Sequence, residues 1–66
     1  MDREKVAKKL LKLRGSRTRE LIAVESGVTF RALESYESGY RTPRDSAKVK
    51  LANYYGVSIQ DLFYGE

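Results

Sequence analysis

The chain has 66 residues, 41% of them hydrophobic and 33% charged, with a formal net charge of +4 and neither cysteine nor histidine. This length bounds it to one small domain, residues 1–66, and the missing residue types exclude disulfides, thiolate or imidazole metal sites, a cysteine nucleophile and the usual general base. No apolar run approaches the roughly 20 residues of a membrane helix and the charged start does not resemble a signal peptide, so a cytoplasmic protein without a cofactor is expected.

Helical periodicity runs along the chain and strand alternation occurs nowhere. Val6, Leu10 and Leu13, with Ala7 and Leu11 beside them, recur at helical spacing among Lys and Arg, which predicts a basic amphipathic helix ending near Gly15. Thr18 and Thr29 each stand where an N-cap hydroxyl opens a helix. Ile22, Ala23 and Ser26 share one face of the second helix; Ala32, Leu33 and Tyr36 share one face of the third, residues 29–38. Between these two, Gly27 can take the left-handed conformation that stops a helix without a Cβ penalty, and Val28 drops an apolar side chain into the angle. Gly39 ends the third helix. Thr42-Pro43-Arg44-Asp45 predicts the start of a fourth, with Thr42 as cap, Pro43 at the first helical position and Asp45 returning a capping-box bond. Ala47, Val49, Leu51, Ala52, Tyr54 and Tyr55 make that helix apolar on most sides, as expected at the centre of a domain, before it stops at Gly56. Ser58-Ile59-Gln60-Asp61 repeats the capping pattern for a short fifth helix carrying Leu62 and Phe63. The predicted fold class is all-α.

Two helices set at a steep angle by a glycine turn, residues 18–38, make a helix-turn-helix unit, which can place its second helix in a DNA major groove. The charge distribution agrees. Residues 1–19 hold eight Lys and Arg against Asp2 and Glu4, a net +6, and residues 40–50 carry +3, whereas residues 20–39 between them carry −3. Two basic blocks flanking the third helix suit a protein that grips phosphates beside a groove. On a helical wheel Arg31, Glu34 and Ser38 lie opposite the apolar face, with Phe30 and Ser35 on the flanks. Arg31 can bond a guanine edge in bidentate fashion or pair with Glu34. Phe30 can meet thymine methyls or pack on a neighbouring helix, Glu34 can accept from cytosine N4 or repel phosphate, and Ser35 is short enough to reach a base. The N-terminus of the second helix at Thr18 and Arg19, with Arg17 close by, is an anion site by its free N–H groups. Glu37 borders the buried face and therefore needs a partner.

In this order the segments VAKKLLKLR, TRELIAVESGV, TFRALESYESG and RTPRDSAKVKLANYYGVSIQDLF resemble the Xre/Cro-type (lambda-repressor-like) helix-turn-helix family over about residues 6–63. A glycine, a basic residue, a proline and then A-x-x-x-G-V-S-x-x-x-L-F is a specific combination. The resemblance implies a five-helix lambda-repressor-like domain that binds double-stranded DNA and regulates transcription, most simply as a repressor and as a two-fold homodimer. Carried over by position, Phe30, Arg31, Glu34 and Ser35 face bases, while Ser38, Tyr40, Arg41 and Arg44 meet the phosphate backbone beyond the recognition helix. Arg14 matches a family arginine that pairs with the glutamate at position 37, so Arg14–Glu37 is expected as a structural ion pair.

Three departures stand out. The loop GSRT is about two residues shorter than the commonest family form. Arg19 stands where a phosphate-binding glutamine is usual, and Leu21 and Val24 occupy positions that are usually polar. Leu62, Phe63 and Tyr64, with Tyr54, are the candidates for a dimer interface; alternatively Leu62 and Phe63 finish the monomer core and only Tyr64 is exposed. Leu21 and Val24 offer an apolar patch for a different protein. An alternative reading is therefore a protein-interaction module or antitoxin-type partner on the same fold. An enzyme is not expected, since no His, Cys, phosphate-cradling glycine loop or paired carboxylates are present.

Overall fold

The computed structural model describes residues 1–65. Its helices open and close on local chemistry. In α1 (Arg3–Arg14) the Asp2 carboxylate accepts from the backbone N–H of Glu4 and Lys5 at 2.9 and 3.3 Å. These two N–H groups hold the Asp2 carboxyl below its ordinary 3.8, Lys5 contributing most. A carboxylate whose folded pKa is depressed adds stability above its unfolded value and loses it as pH falls. NMR titration of Asp2 should accordingly show a midpoint below 3.8 in the folded domain, and Asp2→Asn should remove the acid-side part of its stability.

Thr18 and Thr29 open α2 (Arg19–Ser26) and α3 (Phe30–Glu37), their Oγ1 atoms accepting from Leu21 N and Ala32 N at 3.1 Å each. Gly27 closes α2 at φ 81°, ψ 10°. An alanine there would take the left-handed conformation at a cost of about 1–2 kcal/mol. Val28, only 5% exposed, fills the corner that this turn creates.

The helix α4 (Asp45–Tyr55) starts later than Thr42-Pro43 predicts. Its N-cap is Arg44, with no side-chain capping bond. The Pro43 ring is buried in an irregular segment leading from α3, so tertiary burial overrides its preference for a first helical turn. Nor is α4 apolar on most sides. Ala47, Leu51, Ala52 and the stem of Lys48 form its one buried face, while Val49 is 45% exposed and Tyr54 and Tyr55 are half-buried. Ser58 caps the last turn as expected from its spacing, Oγ accepting from Asp61 N at 3.0 Å, but the element that follows, α5 (Gln60–Tyr64), is wound as a π-helix.

The four largest fully buried side chains are Leu10, Ile22, Leu33 and Leu51, one from each of α1 to α4. They meet behind α3, which packs on both α1 and α2 and so keeps only its outer face for solvent. Of the candidates for a dimer interface, Leu62 and Phe63 are each 2% exposed and complete this core, as the alternative reading has it; Tyr64 alone of the three reaches the surface, at 48%. Among the described residues no helix is long and apolar enough to cross a membrane.

Candidate nucleic-acid interface

The outer face of α3 carries Phe30, Arg31 and Glu34, all exposed, with Ser35 half-buried at its edge. Leu33 and Tyr36 anchor the opposite side at 0% and 4% exposure. Among the described residues the Arg31 guanidinium has no ion pair, with Glu34 or any other residue, so its five donors face solvent. Thr29, at the α3 N-terminus, keeps the first turn of the helix in place, and the first turn is where base-reading residues of such a helix lie.

Beyond α3 the Ser35 carbonyl gathers the turn, accepting from Tyr40 N at 3.0 Å, Arg41 N at 3.3 Å and Ser38 Oγ at 3.1 Å. This turn projects Tyr40, 74% exposed, and Arg41. Arg3, a residue that the sequence reading did not single out, reaches across from α1 and donates Nη1 to the Tyr40 carbonyl at 3.1 Å. Arg3, Tyr40, Arg41, Thr42 and Arg44 line one shallow depression. Arg44 also borders a second, with Thr29, Ala32 and Lys50, so one basic edge runs alongside α3. No local pattern flags Arg3; only its place in the basic first helix does.

The N-terminal basic block is used differently from what its charge suggests. Arg17, expected at phosphate, is bound within the protein: Nε donates to the Arg14 carbonyl at 3.2 Å, Nη2 to the Leu13 carbonyl at 2.8 Å and Nη1 to Tyr54 Oη at 3.2 Å. Its guanidinium stacks 5.6 Å from the ring centres of both Tyr54 and Tyr55. It caps the last carbonyls of α1, a favourable place for a cation. Tyr54, a candidate for a dimer interface, is half-buried, its hydroxyl accepting from Arg17 and donating to the Glu25 carboxylate. That carboxylate raises the Tyr54 hydroxyl above its ordinary pKa. Lys9 donates to the Asp61 and Gly65 carbonyls at 2.8 and 2.9 Å, closing α5. In the second block Lys48 is 8% exposed and donates to Tyr64 Oη at 2.7 Å, so its charge is not part of the basic edge.

Glu37 is buried, its side chain 0% exposed. Arg14 Nε donates to both its oxygens at 3.1 and 3.0 Å, and Arg19 Nε donates to Oε1 at 2.7 Å. Arg19, expected at phosphate, thus has its Nε committed to Glu37, and that hydrogen bond raises the guanidinium above its ordinary pKa. Thr18, also expected at phosphate, is exposed and caps the same helix end. Ser38 is exposed at the end of α3.

Two helices joined by a left-handed glycine, the second presenting an outer face with an exposed arginine beside a basic edge, define a helix-turn-helix DNA-binding domain. The sequence model of the helix-turn-helix family matches residues 6–62, and the chain belongs to that family, of the Xre/Cro type. No curated protein and no solved structure matches it.

Proposed function

We propose that the protein is a sequence-specific regulator of transcription that reads duplex DNA through the major groove with α3, most simply a cytoplasmic repressor that occludes a promoter. Phe30, Arg31, Glu34 and Ser35 are the base-reading residues in this reading, and Arg19, Tyr40, Arg41 and Arg44 hold the backbone with Ser38 and Thr18. The observation that carries it is Arg31 on the exposed face of α3, without an ion-pair partner among the described residues and flanked by the edge of Arg3, Arg41 and Arg44. The domain measures 27 × 22 × 22 Å. Half-sites one helical turn apart are separated by about 34–36 Å, so a palindromic operator needs two copies. In this reading the two copies bind as a homodimer, and Tyr64, exposed at the C-terminal end, is its candidate contact.

Selection of bound duplexes from a randomised pool tests the reading, followed by affinity against salt on the winner. A palindromic motif with a log–log slope near −5 is expected for two copies each neutralising about three phosphates. Arg41→Ala should weaken every duplex alike and flatten the slope by roughly 0.9 per copy, with the preferred sequence unchanged. A shift in the preferred sequence would move Arg41 from the backbone to the bases.

A second reading rests on α2, where Val24 is 83% and Leu21 42% exposed beside Glu20 and Glu25. An apolar pair at i, i+3 with acidic flanks suits a protein partner of antitoxin or co-regulator type. No enrichment in the selection, with a flat salt response, would favour this reading over DNA.

A further inference from the structure

Glu37 belongs to the recognition helix, yet its carboxylate is turned into the protein and joins two arginines from different segments. They are not equivalent. Arg14, with its side chain 18% exposed, gives Nε to both Glu37 oxygens and Nη1 to the Arg17 carbonyl at 2.8 Å. Arg19, 32% exposed, gives only Nε, and neither terminal nitrogen has a protein acceptor among the described residues. Arg14 alone suffices to neutralise the buried carboxylate. The second arginine leaves the cluster with one surplus positive charge, and that charge sits on the more exposed side chain.

The guanidinium is planar and its donors form a rigid fork. Fixing Nε by a 2.7 Å bond from behind therefore fixes where the two terminal nitrogens face. A fork so held matches two non-bridging phosphate oxygens without the rotamer loss that a free arginine incurs. We infer that Glu37 is a positioning residue for DNA binding: it holds Arg19 as a preset phosphate clamp and ties that clamp to the end of the recognition helix. Seating Arg19 on the backbone then also sets the register of α3. This inference rests on the duplex-DNA reading above.

Charge alone predicts the opposite sign. Glu37→Gln removes a negative charge, and a more cationic domain should bind duplex more tightly. Positioning predicts weaker binding. Loss of one charge-assisted contact should cost about tenfold in affinity, on matched and unmatched duplex alike, for each of Arg19→Ala, Arg19→Lys and Glu37→Gln. The double variant Arg19→Ala with Glu37→Gln should bind no more weakly than Arg19→Ala alone. Titrations are made at one salt concentration on protein shown to be folded by circular dichroism. Arg19→Lys keeps both the charge and the Arg14–Glu37 contact, so it still reports if Glu37→Gln does not fold. Wild-type affinity in Arg19→Lys, unchanged or tighter binding in Glu37→Gln, or additive losses in the double variant would each overturn the inference. If wild-type protein binds no duplex, the DNA reading falls and this inference with it. If wild-type protein binds with a steep salt slope and the Arg19 variants match it, only this inference falls.

Discussion

Arg14→Ala is expected to lower the melting temperature by on the order of 10 °C without changing which DNA sequence is preferred. The Glu37 side chain is fully buried and receives three N–H contacts, two of them from Arg14 Nε. Removing one partner of a buried pair leaves charge without full compensation, which costs about 3–5 kcal/mol when nothing remains. Here Arg19 stays at 2.7 Å, so a loss of about 2–3 kcal/mol is the reasonable figure. Arg14 also holds the Arg17 carbonyl at 2.8 Å, and Arg17 in turn packs on Tyr54 and Tyr55, so the truncation loosens the junction of α1 with α4. A domain of this size has only roughly 3–10 kcal/mol in total. Thermal melting followed by circular dichroism measures the effect. A melt within two or three degrees of wild type would mean that Arg19 alone satisfies the carboxylate.

The parts of this structure that could be read from sequence are those whose causes are local. Thr18, Thr29 and Gly27 act on atoms within four residues of themselves, and they open and close helices where their spacing indicates. Helical periodicity likewise separates Leu33 and Tyr36 from Phe30, Arg31 and Glu34, because burial on one face requires it. What could not be read depends on contacts between distant segments. Thr42 and Pro43 carry the pattern of a helix start, but the proline ring is buried in the connection and α4 begins at Asp45. The destinations of long cations were equally hidden. Arg17 and Arg19 lie two residues apart at one helix junction, yet one folds back on α1 carbonyls and Tyr54 while the other turns to Glu37. Composition counts such charges but does not say which acceptor a flexible stem will reach. Charge blocks therefore overstate the surface available to phosphate: of the eight cations in residues 1–19, Lys9, Arg14 and Arg17 each donate to two or more acceptors within the protein, whereas Arg3 and Arg19 give one nitrogen each.

Arg31→Ala is expected to have the largest effect on sequence discrimination and almost none on folding. Arg31 is exposed and has no ion-pair partner among the described residues, so its truncation should fall within the ±0.5 kcal/mol typical of surface positions. On DNA the same side chain can make a bidentate contact to guanine O6 and N7, worth about 1–3 kcal/mol against the wrong base, or roughly 5- to 150-fold. The loss should appear at one base pair in each half-site, where the enriched motif becomes degenerate, while binding to unrelated duplex keeps most of its affinity. Arg41→Ala should give the converse pattern, weaker binding everywhere with the motif intact, so the pair of variants separates base reading from backbone contact. Repeating the randomised-pool selection on each variant makes the comparison direct. If the Arg31→Ala motif is the same as wild type, the arginine meets phosphate or solvent. Base reading would then fall to Phe30 and Ser35 on the flanks of α3 and to Glu34. A motif read by Phe30 would centre on thymine methyls rather than on guanine.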